Sequence, residues 1–526
     1  MQRNEECVSL RRLRKYLGAL SRERADPYDM WIKVLTCVYI CNADGFDLAD
    51  EWSQVSGKYV SRDDVFKHWK TSKGDLNMGL GMLIEFIKED NPGDKYIISK
   101  LDYVEYEAIT PRYYNINEKI IDVEYLTSEI YKGNDIVVCK SGTGTRKSAS
   151  AAVCCNEEGG KVLVVGSFAT FVFQEVRSFH SEHIVKQFGE NHISLVKYHE
   201  KHLDIKNDRG IAMTLSSLSK FEQSTIEELK EFTVVIDEAN SLMTLLLGSE
   251  TVAPKCIYLY WLLKRILVNC KKIIMIDADI SDIVFEFLNF IIPLRENKKA
   301  IFVRNVRRDY SGIKAIKVNE KELIERMKKD IAMGIYFVVC FDSRKEAKKL
   351  FDMMSDKQNE ENFVLIYGES CDEVDPERLK NKWVFYSPRV EKNGLDYIPK
   401  DSLAETVYIL MSGENITPLQ VNRHTTRNRI MKRLIYCITA EPKNLKYESV
   451  DALEKDVDGW TPAMKNLMKN QGVRFYDFWI NPNIKKDVEE FVKLFYIAEY
   501  HKNIFAVDFC RHFETILLEN GFEIEV

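Results

Sequence analysis

Ile136-Val-Val-Cys139-Lys-Ser141-Gly142-Thr143-Gly144-Thr145-Arg146-Lys147-Ser148-Ala149-Ser-Ala-Ala152 decides the architecture. A short β-branched run reads as a buried strand, a glycine-rich loop follows, and small residues after Lys147-Ser148 open a helix. In a strand–loop–helix unit of this kind, backbone N–H groups and the positive helix end form a cradle for phosphate. Lys147 is then placed to reach β- and γ-phosphates, and the Ser148 hydroxyl to ligate Mg²⁺. Gly142, Thr143, Gly144, Thr145 and Arg146 form the loop itself. The usual spacing G-x-x-x-x-G-K-[S/T] has glycine where this chain has Ser141 and Arg146. A Cβ at position 146 is expected to strain the loop and crowd a nucleotide. An ordinary glycine-rich turn is the competing reading.

Working outward, similar runs recur at Val162–Val165, Ile211–Thr214, Val234–Ile236 and Ile273–Ile276, with helical patterns between them. After about residue 306 a second series begins at Ile335–Phe341, Phe363–Tyr367, Val384–Tyr386, Val407–Met411 and Leu434–Ile438. Strands fed by helices pair in parallel, so two tandem α/β units are expected, at 134–305 and 306–445. Residues 1–95 read as a helical module. Leu10, Leu13, Leu17 and Leu20 fall at helical spacing, and Trp31, Trp52 and Trp69 are expected in its core. Asn91-Pro-Gly-Asp marks its expected boundary. A polar connector spans 96–133, and 446–526 reads as a C-terminal helical region rich in Phe and Tyr.

Composition narrows the function. The chain has 526 residues, and 75 Lys+Arg against 81 Asp+Glu leave a net charge of −6. It is therefore not a generally basic nucleic-acid coat, and any nucleic-acid contact needs locally gathered charge. Arg304–Arg308, Lys264-Arg265, Lys271-Lys272 and Arg423–Arg433 are the candidate stretches, and Arg11-Arg12-Leu-Arg14-Lys15 reads either as a further contact or as a solvated helix face. No apolar run is long enough to span a bilayer, and the N-terminus has no hydrophobic signal core. The 12 cysteines include no C-x-x-C pair. Their usage is that of a reducing, intracellular setting, and no metal cluster is expected from His199-x-x-His202 or Cys37-x-x-x-Cys41.

Phe232-Thr-Val-Val-Ile236-Asp237-Glu238-Ala239-Asn240 is a buried strand ending in two carboxylates. Acids at the C-terminal edge of such a strand lie beside the phosphate loop. Asp237 is a candidate for Mg²⁺, and Glu238 for orienting and deprotonating the attacking water. An acid pair alone is as readily a cap, but its pairing with Lys147-Ser148 points to chemistry. Ile274-Met-Ile-Asp277-Ala278-Asp279 ends the next strand and stays open between capping and function. In the second unit, Tyr386-Ser387-Pro388-Arg389 leads into a loop with Gly394 and Asp396. Gln420-Val-Asn-Arg423-His424-Thr425-Thr426-Arg427-Asn428-Arg429 could supply an arginine finger to the γ-phosphate. A solvated basic helix is the alternative.

This order of elements resembles a superfamily 2 helicase, with two RecA-like domains and ATP between them. Val234-Val-Ile-Asp-Glu-Ala-Asn-Ser241 and Leu262 to Asp279 are similar to the herpesvirus origin-binding protein helicases, whose relatives occur in large DNA viruses. Leu20 to Trp31, Trp52-Ser53 to Tyr59 and Trp69-Lys70 look like the helical domain C-terminal to archaeo-eukaryotic primases. That pairing occurs in nucleocytoplasmic large DNA viruses such as asfarviruses. The chain then reads as the helicase half of a longer primase-helicase, or as a free-standing relative. The resemblance implies ATP and Mg²⁺ as cofactors, single-stranded or forked DNA as partner, and a primase domain or other replication proteins beside it. It assigns Lys147, Asp237, Glu238, Gln420 and Arg427 to catalysis, and Ser148 with Asp237 to the metal. Gly394, Asp396 and Arg423 are assigned to nucleotide sensing. Thr170 and Ser216 fall where the family's first-domain loops touch the nucleic-acid backbone. Arg423 and His424 stand where the family pattern Q-x-x-G-R-x-x-R has Gly and Arg, so the finger is Arg423, Arg427 or Arg429. The alternatives are a helicase-shaped scaffold with weak or no ATPase, and another phosphate-loop enzyme such as a nucleotide kinase or a partition-type ATPase.

Overall fold

In the computed structural model of the chain, the described residues are 8–71, 78–103, 116–167, 169–197, 204–248, 255–355, 360–367, 376–387, 402–414, 416–426, 428, 430–455 and 482–525. Two compact units are present. One comprises Met1–Tyr106, Glu441–Gly459 and Tyr500–Phe509. The other comprises Glu107–Ala440, Trp460–Glu499 and Cys510–Val526.

The first unit is helical over Leu10–Gly18, Tyr28–Cys41, Phe46–Ser53, Arg62–Thr71, Leu80–Asp90 and Ile97–Asp102. Ser9 caps the first of these by accepting a hydrogen bond from Arg12 N, which satisfies one orphan donor of the first turn. Leu13, Leu17, Leu20, Trp52 and Trp69 are buried in one core. Two expectations need correcting: Leu10 is 42 % exposed, and Trp31 only packs against the core's margin. The Asn91 turn is not the boundary either, because Ile98 joins the same core and Asp102 binds Arg12 at 2.8 Å. Arg12 also pairs with Glu448, and Lys15 donates to the carbonyls of Leu101 and Tyr103. The 11–15 basic run is thus largely bound to protein groups.

The second unit holds two sheets, parallel throughout. The first has eight strands: β1 (Asn117–Ile121), β2 (Ile136–Lys140), β3 (Lys161–Gly166), β4 (Leu195–Lys197), β5 (Gly210–Thr214), β6 (Phe232–Asp237), β7 (Lys272–Asp277) and β8 (Ala300–Asn305). Their order is β1-β8-β2-β7-β6-β3-β5-β4. The second has β9 (Lys314–Lys317), β10 (Phe337–Phe341), β11 (Phe363–Ile366), β12 (Trp383–Tyr386), β13 (Thr406–Met411), β14 (Arg433–Ile438) and β15 (Glu523–Glu525). They are ordered β11-β12-β10-β13-β14-β9-β15. This is the expected α/β architecture of two tandem parallel-sheet domains. The central strands are apolar and covered on both faces, which is why they read as continuous hydrophobic runs. Val137, Val164, Val235 and Ile274 lie in a single core with the flanking helices.

The polar connector and the C-terminal region are divided by the fold. Of 96–133, the helix Ile97–Asp102 belongs to the helical unit, whereas β1 pairs with β8 at the edge of the first sheet. The C-terminal segment supplies β15, which pairs with β9. Gly521 makes the tight entry to that strand at φ 97°, where a Cβ would stand 2.9 Å from Ser311 Oγ.

Register places the chemistry. β7 lies between β2 and β6, with Lys140 opposite Asp277 and Ile276 opposite Asp237. The phosphate loop, Asp277 and Asp237 therefore emerge side by side at the carboxyl edge of the first sheet, where open α/β sheets bind ligands.

Candidate functional site

The loop after β2 turns into the helix Lys147–Glu158. Arg146 enters it in the left-handed conformation, φ 62° and ψ 31°, which costs a non-glycine residue on the order of 1–2 kcal/mol. The expected strain is therefore present. The expected crowding takes a different form: the Arg146 guanidinium lies 4.3 Å from the centre of the Tyr125 ring. Gly144 is also at positive φ. A Cβ on Gly142 would sit 3.0 Å from Asp309 Oδ2, so the loop takes a glycine there. Thr145 Oγ1 donates to the Gly142 carbonyl at 2.9 Å, and Ser141 Oγ donates to Thr145 Oγ1 at 2.8 Å. Asn305 Nδ2, at the end of β8, holds Ser141 Oγ at 3.0 Å.

Lys147 Nζ donates to the carbonyls of Ser141 and Gly142, each at 2.7 Å. Its ammonium thus lies across the cradle, answered by the loop's own dipoles. Ser148 Oγ donates to Asp237 Oδ2 at 2.5 Å. Asp237 Oδ1 accepts from Glu238 N at 2.8 Å, and Glu238 is left-handed at φ 54°. Two of the three described non-glycine residues at positive φ, Arg146 and Glu238, therefore sit in this site.

The helix Pro418–Thr426, between β13 and β14, brings the second sheet's cation to the same place. Arg423 is 4 % exposed. Its guanidinium pairs with Glu238 at 3.0 Å, Asp277 at 2.7 Å and Asp279 at 3.0 Å, and donates to Ser241 Oγ. Asp277 also accepts from the backbone N–H groups of Asn240 and Asp279. Burial, with Glu238 and Asp279 nearby, pushes the Asp277 carboxyl up to about 8 against the pull of Arg423. Asp277 and Asp279, open between capping and function in the sequence, both receive an arginine from the second sheet. Thr143 Oγ1 and Tyr310 OH both donate to the Thr426 carbonyl at 3.2 Å, so the phosphate loop itself touches the end of that helix.

Other assigned residues fall elsewhere. Gln420 Oε1 accepts from Thr417 N at 2.8 Å, while Thr417 Oγ1 accepts from Gln420 N. This reciprocal cap of the helix N-terminus is a local structural use of the glutamine. Arg427, Arg429, Gly394 and Asp396 lie outside the described residues, as does the side chain of Thr170. Ser216 is exposed, its hydroxyl 3.0 Å from Thr214 Oγ1.

The basic stretches expected to form a nucleic-acid track need correction. Lys264 is buried against Asp487 and Glu490, and Lys272 against Glu158. Arg265 donates to the carbonyls of Phe221, Glu222 and Ser224. Arg304 pairs with Glu118, Arg307 with Asp309 and Arg433 with Asp330. Lys264 and Lys272 are buried and matched internally, because an unpaired buried charge is costly, whereas Lys271, Arg307 and Arg308 are exposed.

Sequence reading missed Glu175. It lies in the helix Ala169–Phe179 and is 2 % exposed. Burial, then the charge of Asp237, push its carboxyl well above the usual carboxylate range. The readable signal was its place at helical spacing with Val172, Val176 and Phe179, an acid on an apolar face.

Among the described residues no group of three or more His, Cys, Asp or Glu is arranged as a metal cluster by itself. Among the described residues no helix is long and apolar enough to cross a membrane.

Comparison with known proteins is consistent with distant likenesses. The family model "Primase C terminal 2 (PriCT-2)" matches residues 13–86, within the helical unit. No curated protein matches the chain. Among solved structures, the Mycobacterium smegmatis helicase Lhr bound to ssDNA and AMP-PNP is 13 % identical with a TM-score of 0.42, over 59 % of this chain. This chain spans only 45 % of Lhr's length. S. cerevisiae Dbp5 bound to RNA and ADP BeF3 is 15 % identical, TM-score 0.41, over 69 % of this chain and 91 % of its own. The DEAD-box helicase Mss116 bound to ssRNA and UDP-BeF is 12 % identical, TM-score 0.43, over 78 % of this chain and 100 % of its own.

Proposed function

We propose that this chain is an ATP-dependent DNA helicase or translocase of the viral origin-binding type, working beside a primase in DNA replication. One observation carries the reading. An unbroken run of contacts joins the phosphate-loop residues Lys147-Ser148 to Asp237, Glu238 and, from the second sheet, Arg423. A triphosphate bound on Lys147 would lie beside an acid pair whose counter-ion belongs to the other sheet. Nucleotide state and the spacing of the sheets are thereby coupled through Arg423.

The chain's own groups suggest the sequence of events. Phosphate oxygens offer Lys147 a better partner than the carbonyls of Ser141 and Gly142. Glu238 takes a proton from water poorly while Arg423 pairs with it, because a neighbouring cation favours the charged carboxylate. Release of Arg423 frees Glu238 as a base and frees the guanidinium for phosphate. The donor set suits Mg²⁺: a serine hydroxyl, the Asp237 carboxylate it touches and the buried Glu175 carboxyl facing both. Ser148 and Asp237 would hold the ion, which would offset the charge of the β- and γ-phosphates.

Steady-state ATP hydrolysis by the full chain, with and without single-stranded DNA, tests the proposal. Turnover stimulated by DNA is expected, and Lys147→Ala should lower it by roughly 100-fold or more, as loss of a preorganised charge contact does. Unchanged turnover in that variant would refute the motor reading. The scaffold reading keeps one specific support, the Arg423–Glu238 pair that neutralises the expected base. DNA binding without any turnover in the wild type would favour it.

A further inference from the structure

The helix Ala169–Phe179 turns Val172, Val176 and Phe179 into the core of the first sheet. Glu175 lies on that same inward face. Both of its carboxyl oxygens are buried and neither accepts a well-formed hydrogen bond; the groups within reach are a second carboxyl, Asp237, and the Ser148 hydroxyl already given to Asp237. A buried carboxyl left in this condition is destabilising unless something answers it. The polar side chains it faces are Asp237 and Ser148, with the charge of Glu238 beyond. The nearby cations are otherwise engaged: Lys147 on the Ser141 and Gly142 carbonyls, and Arg423 on Glu238, Asp277 and Asp279. Ser148 Oγ, Asp237 and Glu175 thus present oxygen donors to one another with no protein cation committed to the Glu175 oxygens.

We propose that Glu175 is a third oxygen ligand, with Ser148 and Asp237, for a divalent cation at this site, so that the chain binds the cation before a nucleotide arrives. The inference rests on the nucleotide-site reading and deepens it. Mg²⁺ sites that depend on substrate phosphates use one or two carboxylates and bind weakly without the substrate. A second carboxylate, already desolvated, raises the affinity of the empty protein for a hard cation. It also gives the fold a reason to hold an acid on an apolar helix face.

The test is Mn²⁺ alone, titrated into the full chain without nucleotide and followed by the electron paramagnetic resonance signal of free Mn²⁺. Wild type is expected to bind, and Glu175→Gln to bind about tenfold or more weakly, as loss of a ligand or its support does. Asp237→Asn should show a similar loss. Mn²⁺ should raise the melting temperature of wild type and not of Glu175→Gln. If Glu175→Gln does not fold, Glu175→Met fills the same space without a ligand oxygen and carries the same expectation. Unchanged Mn²⁺ affinity in the variant overturns the inference, as does absence of Mn²⁺ binding by wild type. Binding of a fluorescent ATP analogue in excess Mg²⁺ is measured in parallel. Its failure in wild type removes the nucleotide reading, while normal analogue binding with Mn²⁺ affinity indifferent to residue 175 removes only this one.

Discussion

The two sheets share a parallel design but treat the acids at their carboxyl edges differently. In the second sheet, Asp342 follows β10 and its Oδ2 accepts from Ser412 N at 2.9 Å, Ser412 Oγ at 2.6 Å and Gly413 N at 2.7 Å. The neighbouring loop consumes it. In the first sheet, Glu238, Asp277 and Asp279 receive their cation from 144 or more residues away in sequence, through Arg423. An acid answered locally fixes a turn. Acids answered from another element create a dependence between elements, and only such a dependence can be switched.

Breaking that dependence should have the largest effect. Arg423→Met strips Glu238 and Asp279 of their counter-ion and Asp277 of a charged hydrogen-bond donor, and should cost about 3–5 kcal/mol of stability, measured by urea unfolding. Asp342→Ala loses hydrogen bonds to one loop and breaks no ion pair with Arg423, and should cost about 1–3 kcal/mol in the same assay. Equal losses would erase the distinction drawn between the two edges.

A pH series sharpens the comparison further. Asp277 holds its proton up to about 8 in the fold, against about 4 for an unfolded aspartate. Between these values the folded chain carries more protons, so this carboxyl's contribution to stability falls as pH rises. Wild type should lose stability from pH 5 to pH 8 more steeply than Asp277→Asn. A slope shared by both chains would show that Arg423 keeps Asp277 ionised throughout. The smallest effect is expected at the loop. Arg146→Gly removes about 1–2 kcal/mol of left-handed strain and loses a stacking contact with Tyr125 worth about 0.5–1 kcal/mol. A net gain under about 1 kcal/mol is expected from thermal unfolding.

Much of this site was legible from the chain. Lys147-Ser148 and Asp237-Glu238 announce themselves because a phosphate cradle and a strand-end acid pair are local patterns, each written in fewer than ten consecutive residues. Arg146 was readable as a misfit for the same reason, since its φ follows from a turn that glycine usually makes. The basic runs misled. Lys264 and Lys272 look like surface charge in sequence, but they are buried against Asp487, Glu490 and Glu158, and pairing at such separations leaves no local mark. Gln420, assigned to catalysis by the resemblance, has its amide oxygen in the cap of the helix that starts at Pro418.

Periodicity and turn chemistry were enough to specify two parallel sheets and the loop where phosphate would sit, because strand burial and helix entry depend on neighbours within a few positions. Which acid meets which cation was decided only by folding. Strand order sets β7 between β2 and β6, the helix Pro418–Thr426 delivers Arg423 to their edge, and the helix after β3 buries Glu175 against Asp237. Electrostatic energy depends on distance and burial, and neither is a property of adjacency along the chain.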